Sequence, residues 1–326
     1  MLFYCPTFGW IGNVPNSFFD PPISIAIFFN GFLNPGAYII IDIILLLCIL
    51  FILLGIKAKL STRLFSILSV FALSFQYSFG KIDHLIMIYA MLFILSFSGW
   101  GDDLAIIPDK TSTNGSVSKS TSVIAVTICF TFFTAGFRKA LHWMNFDFNK
   151  SGTGSWYYPR LHRKLFFLAP YPMHMPFWSF KLMDFATVFF ELSPILFLLY
   201  SFRSWRLYLL LVIIFHLIIL LVLNISFMPQ AVVYLVFVDF SGFYARIVQL
   251  SKMAAVRFIA FVFLTTATAA RIYYIFDLNR HTTLFVDDVD FLKTLTVGIF
   301  IFIVSGLILG RFLFKKREFG EQQLLA

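Results

Sequence analysis

Ionisable side chains within strongly apolar stretches are the residues of this sequence most able to do chemistry. Lys139, Glu191 and His216 each stand in a run of apolar residues. A charged group in hydrocarbon costs at least about 2.5 to 3.5 kcal/mol, so each such residue is a functional candidate whose partner must be found. A lysine held among apolar side chains gives up its proton more readily, and a neutral amine is a competent general base. The pattern therefore points to proton transfer within a membrane.

Four side chains close the apolar stretch that contains this lysine. They are Arg138 and Lys139, followed by His142 and Trp143. Such a set can form a belt at the membrane surface, where long basic side chains snorkel to water. However, adjacent residues on a helix point about 100° apart, so Arg138 and Lys139 do not both face lipid comfortably. At least one of them is expected to face the interior of a helix bundle.

Two acidic residues share one face of the next apolar stretch. Asp184 and Glu191 lie seven residues apart, which corresponds to about 10 Å along a helix axis. Lys181 is expected to pair with Asp184 near the surface. Glu191 lies deeper, just before Pro194, whose missing backbone donor leaves a carbonyl free. The Glu191 carboxylate either serves a functional site or forms a structural bridge to an arginine or a lysine.

Histidines supply two further candidates. His84 ends the segment 80–84 in a predicted turn between two helices, where it either has a function or simply begins a helix. His216 lies in the middle of an apolar stretch, where an interhelical hydrogen bond is the alternative to ligand binding. The six histidines of the chain show no metal-ligand spacing, so no metal is expected.

The composition indicates which elements position these residues. Of the 326 residues, 60% are apolar and 13% are charged, and the mean hydropathy is +0.88. Soluble domains carry about 25% charged residues, so an integral membrane protein is indicated, and a cytosolic enzyme, a disordered chain and a disulfide scaffold are excluded. Runs of about 20 apolar residues predict an all-α polytopic transmembrane bundle of about nine spans. They lie at 38–57, 62–80, 83–100, 121–142, 177–201, 204–224, 227–241, 253–275 and 292–314.

Alternate loops differ in their basic residues and so predict the orientation of the chain. One set of loops contains 12 Lys and Arg residues and the other contains 6. Because basic residues concentrate in cytoplasmic loops, we place the N-terminus outside and the C-terminus inside. The net charge of +9 is assigned to the inner loops, and no nucleic-acid partner is expected.

The chain is predicted to be a single transmembrane domain over 1–326. Four segments lie outside the spans: an outer segment at 1–37 with an interfacial helix, an inner polar loop at 101–120, an outer aromatic and basic loop at 143–176, and an inner basic tail at 315–326. The 143–176 loop is long and rich in aromatic residues, so we expect it to fold over the outer mouth of the bundle. The polar segment 111–122, which begins in the inner loop and ends at the start of the next span, is predicted to be a linker without structure.

Four blocks occur in an order that resembles a known family. They are 77–84 (YSFGKIDH), 133–141 (FTAGFRKAL), 189–193 (FFELS), and Phe215-His216 with the later Phe227-Met228-Pro229. Over about 4–240 they resemble the membrane domain of vitamin K-dependent γ-glutamyl carboxylase and its bacterial relatives, the HTTM domain proteins. The carboxylase also carries a large extramembrane domain, whereas here the last 80 residues or so continue as apolar stretches and a basic tail. The first transmembrane helix of the family is expected to be missing upstream of Met1.

The resemblance implies roles for the candidate residues. In the carboxylase, the second basic residue after the Ala-Gly pair deprotonates reduced vitamin K, and this position corresponds to Lys139. The hairpin histidine, which corresponds to His84, supports the same step. These two residues are the predicted catalytic residues, and we expect a cavity large enough for a quinone ring where they meet Glu191 and His216. The predicted cofactor-binding residues are Arg138, His142, Trp143, Glu191 and His216.

The resemblance also implies a function: a quinol-dependent integral membrane enzyme with a lysine general base at the outer face. Its cofactor would be a reduced quinone, such as menaquinone or a vitamin K-like compound, used with O₂ and, if carboxylation is retained, CO₂. The expected location is a bacterial cytoplasmic membrane with the active face outside, where membrane lipids and a peptide or protein substrate are the partners. Two alternatives stay open. One is a non-catalytic maturation factor that binds a peptide, a lipid or a membrane protein through 143–176, and the other is a DoxX-like subunit of a quinone-linked oxidoreductase.

Overall fold

The computed structural model describes residues 7–80, 86–102, 105–109, 116–161, 168, 171–223, 225–276 and 291–314. The described residues contain α-helices and short 3₁₀ turns but no strand, apart from an isolated bridge between Ile56 and Ile107. The α-helices are α1 (Pro35–Leu54), α2 (Ala58–Gln76), α3 (Ile86–Leu95), α4 (Ser116–Trp143), α5 (Gly152–Leu161), α6 (Phe177–Leu192), α7 (Pro194–Tyr200), α8 (Phe202–Leu223), α9 (Met228–Tyr234), α10 (Ser241–Ser251), α11 (Ala254–Phe276) and α12 (Phe291–Phe314).

Five helices are long and apolar enough to cross a membrane, and a sixth crossing results if the bent pair α6 and α7 counts as one span. The five are α1, α2, α4, α8 and α11, and each overlaps a span predicted from the sequence. The described residues thus form an all-helical protein of the integral membrane class. The bundle of nine spans and the orientation of the termini stay predictions.

Two of the remaining predicted spans, 83–100 and 227–241, differ from the observed helices. In the described part of the predicted span 83–100, the helix is Ile86–Leu95. It ends there because turns follow in which the Ser96 and Ser98 hydroxyls donate to backbone carbonyls of α3. The predicted span 227–241 corresponds to the shorter apolar stretch Met228–Phe237. The predicted span 292–314 agrees with the observed helix α12, Phe291–Phe314.

Two non-spanning segments also differ from the prediction. Part of the predicted linker 111–122 is helical, because α4 begins at Ser116. A Ser or Thr hydroxyl can bond to a carbonyl of the preceding turn of a helix, as Thr127 of α4 does with Val123. The predicted interfacial helix of the outer segment is replaced by short 3₁₀ turns at Asn16–Phe18 and Ile25–Phe28. Each of these turns is four residues or shorter, which fits the usual limit for 3₁₀ geometry.

The chain divides into two compact units. Unit 1 comprises 1–120 and 239–293, and unit 2 comprises 121–238 and 294–326. In unit 1, α1 begins with an Asn34 cap that accepts from the Ala37 N–H at 2.8 Å, followed by Pro35 at the first helical position. About two turns later on this helix, the buried Asp42 carboxylate accepts hydrogen bonds from the Phe8 and Gly9 N–H groups at 2.9 to 3.1 Å. These bonds tie the outer segment to α1.

In unit 2, the break between α6 and α7 follows from Pro194. The proline lacks an N–H and cannot bond to the Phe190 carbonyl, so the chain bends by 43°. As the sequence predicted, this carbonyl is released from the helix ladder. It accepts hydrogen bonds from the Ser193 hydroxyl at 2.9 Å and the Tyr208 hydroxyl at 3.2 Å. The break therefore places polar groups of α6 and α8 beside Glu191.

Candidate functional site

The last turns of α4 present their basic residues in different directions. Arg138 and His142 are exposed, whereas Lys139 is half-buried and its ammonium forms an ion pair with the Glu191 carboxylate of α6. The expectation that at least one of the adjacent cations faces the interior is confirmed. The expected bridge from Glu191 to a basic residue is also found, and its partner is Lys139.

Gly136 is the residue that allows α4 and α6 to approach at this point. A Cβ atom built on Gly136 would lie 2.8 Å from the Glu191 Cβ and 3.2 Å from its carbonyl carbon. Such distances leave no room for any side chain. Small residues are the usual means by which membrane helices come into close contact. Because Lys139 lies three residues after Gly136, about one turn further along the same face, the close contact brings the amine to the carboxylate.

The Glu191 carboxylate is nearly buried, and only one of its two oxygen atoms has a hydrogen-bond partner among the described residues. Its side chain is 7% exposed, and its Oε1 atom accepts from Lys139. Its Oε2 atom is buried and has no hydrogen-bond partner among the described residues. Buried polar atoms are nearly always paired, so an unpaired carboxylate oxygen indicates a place where a ligand or water donates a hydrogen bond.

Trp143 lies next to Lys139 at the end of α4. The lysine nitrogen is 5.3 Å from the centre of the Trp143 ring, within the range of a cation–π contact. Residues four apart on a helix lie on the same face, so this contact follows from local geometry. The amine thus has a carboxylate and an aromatic face as neighbours, rather than the purely apolar walls expected from the sequence.

A second charged pair, Lys181 and Asp184 on α6, lies beside the site. The side chains are 1% and 0% exposed, with 3.9 Å between the nitrogen and the nearer oxygen. The pair expected near the surface is therefore fully buried. Each charged group has several hydrogen-bond partners, which lie at the end of α4, at the start of α5 and in the segment between these helices.

The partners of the buried pair explain why it is tolerated. The Lys181 ammonium donates to the Trp143 carbonyl at 2.8 Å, the Asn145 amide oxygen at 2.8 Å and the Lys150 carbonyl at 3.1 Å. A cation is favourable there because Trp143 ends α4 and the C-terminus of a helix carries partial negative charge.

The carboxylate is bonded in the complementary way. Asp184 accepts from the Ser151 hydroxyl at 3.1 Å and from the N–H groups of Gly152 at 3.0 Å and Thr153 at 2.7 Å. These N–H groups open α5, so the anion lies at the positive end of that helix. The pair thus fastens the end of α4 and the start of α5 to α6.

A short turn at 145–150 lies between these two helices. Its Asp147 carboxylate accepts from the Asn149 N–H at 3.0 Å and pairs with the Lys150 ammonium at 3.3 Å. The Asn149 N–H, followed by Lys150, holds the pKa of the Asp147 carboxyl below its usual value. A carboxyl with a lowered pKa stabilises the folded turn at neutral pH, and this contribution disappears as the pH falls through the lowered value.

His216 occupies a different environment in unit 2. It is 4% exposed, and its ring stacks on Phe227 at 4.3 Å and on Phe132 at 6.0 Å between centroids. Phe132 precedes Lys139 by seven residues, about 10 Å along α4. His216 is thus held between aromatic rings, and one of these, Phe132, lies about two turns before Lys139 on α4.

The other predicted site features lie elsewhere. His84 and its neighbours at 81–85 lie outside the described residues, so the proposed role of this histidine stays a prediction. A groove of about 440 Å³ is lined by Ser122, Val123, Val126, Thr127 and Phe130 of α4, and none of the candidate residues lines it. In the described part of the chain, no group of three or more His, Cys, Asp and Glu side chains is placed to hold a metal ion.

Sequence reasoning did not identify Gly136, Tyr208 or the bonds of Asp184 as parts of this region. Gly136 could have been found, because a glycine one turn before a membrane-embedded lysine marks a close helix contact. Tyr208 could not, since its bond to the Phe190 carbonyl joins residues that are far apart in the sequence and depends on how α8 packs.

Comparison with known proteins identifies no relative of the chain. No family model, curated protein or solved structure matches it. The family resemblance of its four sequence blocks therefore stays a prediction.

Proposed function

We propose that this chain is an integral membrane enzyme in which the Lys139–Glu191 pair removes a proton from the hydroxyl of a membrane quinol. The single observation that supports this proposal most strongly is the unpaired Oε2 atom of Glu191, which lies on the same carboxylate that binds the Lys139 ammonium. The proposed location is a bacterial cytoplasmic membrane with this site toward the outer face. Peptides or proteins at that face are the proposed substrates.

The pair has the two parts that a general base requires. An internal transfer of a proton from the Lys139 ammonium to the Glu191 carboxylate gives a neutral amine and a neutral carboxyl. The amine then accepts the proton of the ligand hydroxyl, and the ammonium that results balances the charge left on the ligand oxygen. The Oε2 atom offers an acceptor for the hydroxyl of a ligand beside the amine. Because Lys139 is half-buried, the pair is close enough to the surface of the unit for a ligand to reach it.

The residues around the pair suit a reduced quinone. A quinol presents an aromatic ring with hydroxyl donors, and the pair offers an acceptor beside the ring of Trp143, whose centre lies 5.3 Å from the Lys139 nitrogen. When bound, a reduced quinone would supply the reducing equivalents for a reaction with O₂. Whether CO₂ then enters the reaction depends on the substrate.

Quantification of co-purified quinones tests this proposal. The protein is purified from quinone-containing membranes in mild detergent, and menaquinone and ubiquinone are measured by mass spectrometry per mole of protein. We expect near-stoichiometric quinone in the natural protein and a marked loss in Glu191→Gln and in Lys139→Gln. Lys119→Gln is the matched control, because Lys119 is an exposed lysine on the same helix.

Two results would overturn the proposal. One is the absence of quinone from the natural protein even when reduced short-chain quinone is supplied. The other is equal quinone in all four proteins. Gel filtration of each variant checks that a loss of quinone does not reflect a loss of folding.

A further inference from the structure

We infer that Trp143 is a positioning residue for Lys139 and that Gly152 and the buried Lys181–Asp184 pair hold it in place. This inference rests on the proposed function for its catalytic meaning, although the contact itself can be tested without any ligand.

The first observation is the contact between Trp143 and Gly152. A Cβ atom on Gly152 would lie 2.1 to 2.3 Å from three atoms of the Trp143 ring. The glycine therefore packs directly against one part of the indole, while the Lys139 nitrogen lies 5.3 Å from the ring centre. The ring is held between the start of α5 and the amine.

The second observation is that Gly152 is itself fixed. Its N–H donates to Asp184 at 3.0 Å, and the next N–H, of Thr153, donates to the same carboxylate at 2.7 Å. Trp143, the other residue of the contact, is fixed by Lys181, whose ammonium donates to the Trp143 carbonyl at 2.8 Å. The pair thus holds the backbone of Trp143 and the backbone of Gly152 at the same time.

The consequence is a defined direction for the Lys139 side chain. Four rotatable bonds give a lysine many conformations, and an amine that must accept a proton at one place gains from being confined. Trp143 limits the amine on one side and Glu191 holds it on the other. The interaction with the aromatic face also favours the ammonium that forms when the proton arrives.

The test measures the reactivity of Lys139 toward an acylating reagent, with site-resolved rates from mass spectrometry of the full-length protein in detergent. In Gly152→Ala the added methyl group displaces the indole, and we expect Lys139 to react about two- to fivefold faster, the factor that corresponds to a partly exposed cation–π contact. Trp143→Leu is expected to give the same increase, and Trp143→Phe, which keeps an aromatic face, is expected to restore most of the natural rate.

Gly154→Ala is the matched control. Gly154 lies in the same turn of α5, and a Cβ atom there would meet its nearest neighbours at 3.5 Å or more, so its rate is expected to be unchanged. The acylation rate of Lys59, which is paired with Asp102 in unit 1, reports any general loosening of the protein in the same spectra.

Equal Lys139 rates in the natural protein, Gly152→Ala and Trp143→Leu would overturn the inference. An increase at Lys139 accompanied by an equal increase at Lys59 would also overturn it, because general unfolding would then explain the change. The acylation rates are measured on protein from which quinone has first been extracted, so the result is independent of the quinone measurement. Failure of the proposed function would leave the positioning result standing, and the reverse also holds.

Discussion

Gly136 shows how one residue determines the geometry of the candidate site. Its hydrogen atom in place of a side chain allows α4 to reach the backbone of Glu191, and Lys139 then meets the carboxylate one turn later. The two charged residues depend on each other, because removal of either leaves the other partly buried without its counter-charge.

Gly136→Ala should therefore weaken both packing and the ion pair. The new methyl group must separate the helices, and overpacking of this kind costs about 1 to 3 kcal/mol. A chemical denaturation series in detergent measures the change in the free energy of unfolding. Gly306→Ala, where the nearest atom to the new Cβ lies at 3.6 Å, is the control that is expected to keep the natural stability. Equal stability of the two variants would contradict the role given to Gly136.

Lys181 and Asp184 act at the scale of elements, because their bonds join the end of α4 and the start of α5 to α6. Lys181 lies at the partly negative C-terminal end of α4, and Asp184 lies at the partly positive N-terminal end of α5, so each charge is stabilised. The two groups are separated by 3.9 Å, so a large part of their stabilisation comes from the separate backbone partners that each of them has between Trp143 and Thr153. They should behave as one unit when mutated.

A double-mutant cycle measures this coupling. Asp184→Ala leaves a buried ammonium and should lower the free energy of unfolding by about 3 to 5 kcal/mol, with a similar loss for Lys181→Met. The double variant should lose clearly less than the sum of the two losses, with a coupling of roughly 0.5 to 3 kcal/mol. Asp147→Ala, in the exposed turn nearby, is expected to have a much smaller effect. Additive losses would show that the pair does not act as a unit.

Long apolar runs with few polar residues predicted the positions of the helices well. The apolar stretch that became α1 was predicted at 38–57, and the observed helix is Pro35–Leu54. The described helix within the predicted span 83–100 ends at Leu95, because serine hydroxyls and the Arg63 bonds to Ser96 stabilise the turns that follow. Prediction was wrong about the depth of Lys181, because burial depends on partners contributed by a segment more than thirty residues earlier. Local patterns predict helices, whereas such long-range polar contacts are visible only in the folded chain.

At the scale of the whole molecule, the charge asymmetry of the loops predicts the direction of the chain in the membrane. The candidate site would then lie toward the outer face, where a quinol in the membrane and an external substrate are both within reach. The expected orientation follows from basic residues alone, so it can be tested apart from any chemistry.

Cysteine labelling in intact cells tests this orientation. In a Cys5→Ala background, a membrane-impermeant thiol reagent is expected to label Phe146→Cys but not Ile106→Cys, although both side chains are exposed. The remaining cysteines of the described residues, Cys48 and Cys129, are buried. After cell lysis both variants should react. Labelling of Ile106→Cys in intact cells, with Phe146→Cys protected, would mean that the site faces the cytoplasm.

Proton removal by Lys139 is most directly measured with 1-naphthol, a redox-inert aromatic alcohol whose ionised and neutral forms absorb at different wavelengths. The natural protein in nanodiscs at neutral pH is predicted to bind 1-naphthol and to produce the spectrum of its ionised form. Lys139→Gln is predicted to bind it with the neutral spectrum, and Lys119→Gln to behave like the natural protein. A purely neutral spectrum with the natural protein, or the same ionised spectrum with Lys139→Gln, would contradict the role of Lys139 as the base.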